Sequence, residues 1–225
     1  MKEGIVVVNK PDGITSHDVV ARVRRHFKQK RVGHAGTLDP LATGVLIILL
    51  GPSTKLFNKF VGFDKAYQAT LILGTTTDTA DTEGKIIEQK EYSHLSEKDI
   101  KDAFARFSGE IDQIPPMVSA VKVNGKKLYE LARKGITVKR EPRKVRIDRL
   151  IIEGINMPHV KFYLECSKGT YVRQLAEDIG KILGCGACIS QINRVKVGAY
   201  TIDQAVRLED LNESHIRNFE DKAVA

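Results

Sequence analysis

The chain has 225 residues, 42% of them hydrophobic and 28% charged, with a formal charge of +8. That length suits one sizeable core or a main body with a small appendage, and that composition excludes disorder over most of the chain. No apolar run is long enough to span a bilayer, and the N-terminus lacks a signal-peptide layout, so a cytoplasmic location is expected.

In chain order, residues 5–8 read as a strand closed by the turn cluster Asn9-Lys10-Pro11-Asp12-Gly13. Ser16 is placed to cap a helix over about 17–28, with Val19, Val20, Val23 and Phe27 on one face. Residues 45–50 read as a buried strand, and Tyr67, Ala69, Leu71 and Leu73 share one side of a strand over 66–74. After a polar turn over 74–84, Ser96 starts a helix to about 108, with Ile100, Ala103, Phe104 and Phe107 inward. Pro115-Pro116 breaks the chain, a helical piece is expected near 126–134, and 144–154 and 160–167 read as paired strands. Thr170 opens a helix with an apolar stripe of Val172, Leu175, Ala176, Ile179, Ile182 and Leu183, ended by Gly184 and Gly186. A last strand over 189–198 and a short polar helix near 207–215 follow. Strands and helices interleave irregularly, which fits a mixed-sheet α+β fold better than a regular βαβ series.

Charge is distributed unevenly. Residues 122–149 hold eleven Lys or Arg against Glu130, Glu141 and Asp148, and residues 22–31 add six basic residues without an acid. Two basic blocks suggest a polyanion surface, although one block alone would pass for a solvated face. Between Asp18 and Asp64 the only acid is Asp39, in the string Gly33-His34-Ala35-Gly36-Thr37-Leu38-Asp39-Pro40. A surface that attracts phosphates should exclude acids, so a lone carboxylate there needs a reason, and chemistry on a nucleic acid is one candidate. Asp followed by Pro is also a good helix start, and on local chemistry alone that structural reading is favoured.

Cys185 and Cys188 form a C-x-x-C pair, but no second pair completes four zinc ligands and Cys166 is isolated. Packed small residues are the expected role, and no metal is expected. Neither Walker A nor G-x-G-x-x-G occurs, so no nucleotide cofactor is indicated.

Several strings together resemble the TruB-type tRNA pseudouridine synthases, which modify uridine 55 in the T-arm. They are Lys10-Pro11-Asp12-Gly13-Ile14-Thr15-Ser16, the string from Gly33 to Leu46, Tyr67-Gln68-Ala69 with Thr77 to Asp81, Pro115-Pro116 through Arg133, Cys166 to Arg173, and Ile192-Asn193-Arg194 with Gly198. They cover about 4–212 in family order. The resemblance implies the pseudouridine synthase fold, an α+β fold with a mixed, largely antiparallel central sheet, flanking helices and an inserted basic thumb over about 113–146. It implies a catalytic domain over 1–212, a short tail over 213–225, and the family's usual PUA domain absent or truncated. Val118 stands where the family commonly has Tyr.

The resemblance also implies roles. Asp39 is the catalytic carboxylate, Tyr67 lies against the target base and assists proton removal, and Arg173 pairs with Asp39. His34 holds the RNA open, Lys10 supports the tyrosine, Tyr171 and Ile192 line the base pocket, and Asp81 belongs to the same cleft. Lys126, Lys127 and Arg133 touch the RNA backbone. The partner is tRNA, with no membrane, and the protein is a monomer. Bland alternatives stay open: Arg173 pairing with Glu177 at i+4, Tyr67 as a core aromatic, His34 as a loop residue, Asp81 as a turn acid, and Lys10 as a surface charge.

The chemistry is consistent with those residue types. Turning uridine into pseudouridine breaks N1–C1′, rotates the base and rejoins it through C5. It is redox-neutral and donates no group, so no cofactor or metal is needed. A carboxylate suits a glycosidic carbon as nucleophile or electrostatic stabiliser, a phenol can take part in proton transfer, and a stacked base must first flip out. Competing readings are a non-enzymatic RNA chaperone of the T-arm elbow, and the same chemistry on another structured uridine.

Overall fold

The structure is a computed structural model and describes residues 2–119, 121–123, 125–132 and 134–219. In chain order the elements are β1 (Gly4–Lys10), α1 (Ser16–His26), β2 (Val32–Ala35), β3 (Thr43–Leu50), α2 (Phe57–Val61), β4 (Lys65–Leu73), β5 (Thr75–Thr77), β6 (Ile86–Gln89), α3 (Glu97–Ala105), β7 (Gly109–Gln113), β8 (Lys122–Val123), β9 (Lys126–Lys127), α4 (Leu128–Ala132), β10 (Arg143–Asn156), β11 (His159–Cys166), α5 (Val172–Leu183), β12 (Ala187–Val197) and β13 (Tyr200–Thr201). This is the expected α+β fold, with a largely antiparallel sheet and flanking helices. The chain divides into two compact units, Met1–Gln68 with Gln191–Ala225, and Ala69–Ser190.

In the first unit β3 is the central strand. It runs antiparallel to β1 along its whole length, from Gly4↔Leu50 to Lys10↔Gly44. Its other edge is shared. β2 pairs antiparallel with the far end, Ala35↔Ile47, and β12 pairs parallel with the near end, Asn193↔Thr43 and Arg194↔Gly44. The unbroken apolar run of β3 reflects burial on both faces. Leu46, Ile48 and Leu50 pack with Val6, Val8 and the α1 stripe Val19, Val20, Val23 and Phe27, whereas Val45, Ile47 and Leu49 pack with Ile5, Val7, Phe60 and Tyr200. Gly44 has φ +99°, and a Cβ there would meet Arg194 O and Asn193 Oδ1 at 2.3 Å, so only glycine admits β12 this close.

In the second unit the strand order is β4-β11-β10-β7, with β10–β11 and β10–β7 antiparallel. Helices α3 and α5 pack together, and Phe104 of α3 meets Phe162 of β11 edge-on at 5.5 Å. Leu175, Ala176 and Ile179 of α5 are fully buried. Ile182, expected on the same stripe, is instead 39% exposed and lines a cleft of about 560 Å³ with Val118, Gln174 and Asp178.

Several boundary expectations are corrected. Thr15, not Ser16, caps α1, in a capping box with Asp18, because the Ser16 hydroxyl is turned inward. Tyr171, not Thr170, precedes α5, since the Thr170 hydroxyl bonds back to Ser167 O. The helical piece near 126–134 is a two-residue strand followed by Leu128–Ala132. The expected helix near 207–215 is only a 3-10 turn, Glu213–His215, whose polar residues supply no buried stripe. No helix follows Asp39-Pro40; a turn closes there with Ala42 N donating to Asp39 O.

Gly180 yields a stability prediction. It lies inside α5, where alanine would raise helix propensity by about 1 kcal/mol. A Cβ there would lie 2.2 Å from Ala187 N, which is backbone and cannot swing aside. Gly180→Ala is therefore expected to destabilise the protein by about 1–3 kcal/mol, read from denaturant midpoints.

Candidate active site

The first unit holds Lys10, His34, Asp39, Tyr67 and Ile192. Asp39 is half-buried on the connection from β2 to β3, between the strand that pairs with the far end of β3 and the end of β3 that pairs with β12. A connection of this kind has no ladder partner, so its backbone groups must be satisfied otherwise. Five consecutive carbonyls each find a donor. Arg194 Nη2 donates to Gly36 O at 2.9 Å and Nη1 to Thr37 O at 3.4 Å. Ser16 Oγ donates to Leu38 O at 2.9 Å. Ala42 N donates to Asp39 O at 3.1 Å. Lys10 Nζ and Gly13 N reach Pro40 O at 3.0 and 3.1 Å.

Two of these donors are buried cations. Lys10 is 0% and Arg194 2% exposed, so Lys10 is not a surface charge. Arg194 Nε also donates to Val45 O at 2.8 Å, which ties the connection to the strand that follows it. Burial works against the charge of Arg194, while a hydrogen bond with the Tyr67 hydroxyl and the Asp39 carboxylate support it. Tyr67 is thus buried, as a core aromatic would be, but its polar end faces the guanidinium that holds the Asp39 connection. The middle of β12 contributes Ile192, packed against the core, with its carbonyl accepting from Thr43 Oγ at 3.4 Å.

His34, on β2, meets His17 edge-on with ring centroids 5.3 Å apart. Its Nδ1 is buried with no hydrogen-bond partner in the structure. Burial, with the charges of His17 and Arg194 added, pushes its pKa down to about 4. A neutral ring suits a wedge against bases better than a clamp on phosphate.

The second unit holds Asp81, Tyr171 and Arg173. Arg173 is the second residue of α5 and is 6% exposed. Its Nη1 donates to Thr79 O at 2.6 Å and lies 3.5 Å from Asp81 Oδ2, and its Nη2 donates to Val118 O at 3.0 Å. Asp81 is no solvated turn acid: it is 3% exposed, and its Oδ1 accepts from Thr79 Oγ and Glu83 N. Glu177 is engaged by Lys181 at 2.6 Å. Gln113 holds both backbone groups of Tyr171, accepting from N at 2.8 Å and donating to O at 3.1 Å. Lys126 is exposed on β9; the side chain of Lys127 and the whole of Arg133 lie outside the described residues. The cysteines are buried, and burial, with Asp81 adding to it, pushes the Cys188 thiol up to about 11. Among the described residues no group of His, Cys, Asp and Glu is placed to hold a metal ion, and no helix is long and apolar enough to cross a membrane.

Sequence reasoning left Ser16, Gln113 and Arg194 without their roles. The available signals were two adjacent hydroxyls, Thr15 and Ser16, of which a helix cap uses one, and an arginine inside the strand expected over 189–198.

The state of His34 predicts a pH dependence. Its folded pKa lies below the unfolded value near 6.5, so protons favour the unfolded chain. Its contribution to stability is complete above about pH 6.5 and is lost as pH falls toward 4, by up to about 1.4 kcal/mol per pH unit. Denaturant midpoints measured across that window should fall less steeply in His34→Gln than in the wild type.

Known proteins share both the sequence and the fold. Residues 24–172 match the family model of the TruB family pseudouridylate synthase N-terminal domain, and residues 173–224 match that of the tRNA pseudouridylate synthase B C-terminal domain. The tRNA pseudouridine synthase B of Clostridium tetani is 47% identical over 216 residues, which are 96% of this chain and 75% of that protein. Among solved structures, a chain of a Cbf5–Nop10–Gar1 complex superposes with TM-score 0.73 at 30% identity, covering 92% of this chain and 53% of that one. A chain of an H/ACA RNP bound to a substrate RNA containing 2'-deoxyuridine gives TM-score 0.68 at 26% identity, covering 92% and 52%. The chain thus spans about half the length of those solved chains. It belongs to the TruB family of pseudouridylate synthases, and its enzyme class is that of an isomerase.

Proposed function

We propose that this chain isomerises uridine 55 in the T-arm of tRNA to pseudouridine, as a cytoplasmic monomer and without cofactor or metal. The observation that carries this reading is Asp39 itself: a half-buried carboxylate on a backbone held at every carbonyl from Gly36 to Pro40, in electrostatic contact with the buried Arg194 charge. The relatives named tRNA pseudouridine synthase B support tRNA as substrate, and the chain in complex with substrate RNA supports an RNA-binding role for the fold.

In this mechanism the RNA loop opens and the base flips out, with His34 as the neutral wedge that occupies its place. Asp39 acts on the glycosidic carbon, on C6 or by assisting elimination, and the base turns and rejoins through C5. Tyr67 lies against the base and takes part in proton transfer. Lys10 and Arg194 keep charge and geometry around the carboxylate, while Tyr171, Ile192 and Asp81 shape the base site. Lys126, Lys127 and Arg133 hold the RNA backbone.

The test is an unmodified T-arm stem-loop, with pseudouridine mapped after incubation without cofactor. Modification at the uridine-55 position is expected. No modification, or modification only at other uridines, overturns the proposal. Asp39→Asn should abolish turnover while RNA still binds, because the amide keeps the size but not the charge. A rate within about tenfold of the wild type, about 1.4 kcal/mol of barrier, would remove Asp39 from the chemistry. Arg173→Met should lower the single-turnover rate at saturating RNA; loss of stability alone would leave Arg173 with only its structural bonds to Thr79, Val118 and Asp81. Replacing Lys126, Lys127 and Arg133 together should flatten the slope of log affinity against log salt, by up to about 0.7–0.9 for each phosphate that is no longer neutralised. An unchanged slope would mean that they never touch RNA.

A further inference from the structure

We infer that Ser16 is a positioning residue for the reaction, its hydroxyl fixing the backbone of Leu38 and thereby the carboxylate of the next residue, Asp39. This rests on the reading of Asp39 as the catalytic group.

Ser16 is 1% exposed at the first position of α1. Its Oγ accepts from Leu38 N at 2.9 Å and donates to Leu38 O at 2.9 Å. A hydroxyl has one proton and two lone pairs, so a single Ser can satisfy both groups of one residue, as a neighbouring strand would. Leu38 needs that substitute because it lies between β2 and β3, with no ladder partner. Its side chain is buried in the core beside α1. Leu38 is therefore held by its side chain from one direction and by both backbone groups from another. The peptide joining it to Asp39 is left little freedom.

The helix does not use this hydroxyl. Thr15 supplies the cap, accepting from Asp18 N, while the Asp18 carboxylate returns the bond to Thr15 N. At the first helical position no preceding turn offers a carbonyl to compete for the Ser16 proton. Thr15 and Ser16 are thus adjacent hydroxyls with separable duties, one to the helix and one to the Asp39 connection.

The separation makes the inference testable. Single-turnover pseudouridine formation at saturating T-arm RNA is compared in Ser16→Ala, Ser16→Cys, Thr15→Ala and Asp39→Asn, together with RNA affinity and thermal midpoint for each. Ser16→Ala should lose about tenfold to a hundredfold in rate, the scale expected of a reacting group displaced by a fraction of an ångström to one ångström, with RNA affinity unchanged. Amide exchange at Leu38 should accelerate. Ser16→Cys, nearly isosteric but a weak donor and acceptor, should fall between the wild type and Ser16→Ala, and it stands in if the alanine variant does not fold. Thr15→Ala, which weakens the same helix without touching Leu38, should lower the midpoint and keep the rate. A wild-type rate in the Ser16 variants beside an inactive Asp39→Asn overturns the inference and leaves the Asp39 reading intact. Equal rate loss in Thr15→Ala also overturns it, because helix fraying would then explain both. An active Asp39→Asn instead overturns the reading on which the inference depends.

Discussion

The arrangement of the first unit depends on one buried guanidinium. An arginine with 2% exposure is costly to hold unless its donors are matched, because burial removes the water that stabilises its charge. Arg194 meets this with Val45, Gly36 and Thr37 carbonyls, the Tyr67 hydroxyl and the field of Asp39. Each of these partners belongs to the Asp39 connection, the strand after it, or the proposed catalytic set. The guanidinium therefore couples the backbone position of the connection to the local potential. Lysine could supply the charge but not the planar fork that spans three carbonyls at once.

The topology is what brings Arg194 there. β3 cannot give its whole edge to one neighbour, because β2 stops at Ala35↔Ile47 and β12 begins at Asn193↔Thr43. In the gap between those pairings Val45 O accepts from Arg194 Nε, and the other nitrogens of that guanidinium hold the connection that carries Asp39. Gly44 lets β12 approach, and Gly36 takes φ +79°, a conformation that favours glycine, while its carbonyl accepts from Arg194 Nη2. The glycines around Asp39 were legible as turn formers in the sequence. The second use of Gly44, as clearance for the backbone of a strand more than a hundred residues later, was not.

Much of the fold could be read directly. The strands around Val6, Ile47, Leu71 and Phe162 follow from apolar runs and alternation, and α3 and α5 follow from their 3.6-residue stripes. Boundaries failed where a hydroxyl chose a tertiary partner over the helix end, as at Ser16, or bonded back into its own turn, as at Thr170. Ile182 fits the α5 stripe by period but is partly exposed on the cleft, since period identifies a face without saying how far the packing extends. For the candidate site, family resemblance named Asp39, Tyr67 and Arg173. Ser16, Gln113 and Arg194 bond instead to backbone groups of Leu38, Tyr171, Gly36, Thr37 and Val45, and residue type alone does not identify such backbone partners.

That distinction points to how the site gains its geometry. Leu38 and Tyr171 each have both backbone groups held by one distant polar side chain, Ser16 and Gln113 respectively. Each held residue directly precedes, or itself belongs to, the proposed machinery. A side-chain pair between flexible groups fixes only their tips, whereas a bidentate grip on N–H and C=O fixes the peptide planes from which the side chain projects. Leu38 has no ladder of its own, so without Ser16 its buried N–H and C=O would be orphaned at about 1–3 kcal/mol each, whereas Tyr171 O also accepts from Leu175 N. The same penalty that makes an orphaned amide costly thus keeps the grip closed, and the side chain beyond it is oriented by the requirement to satisfy the backbone.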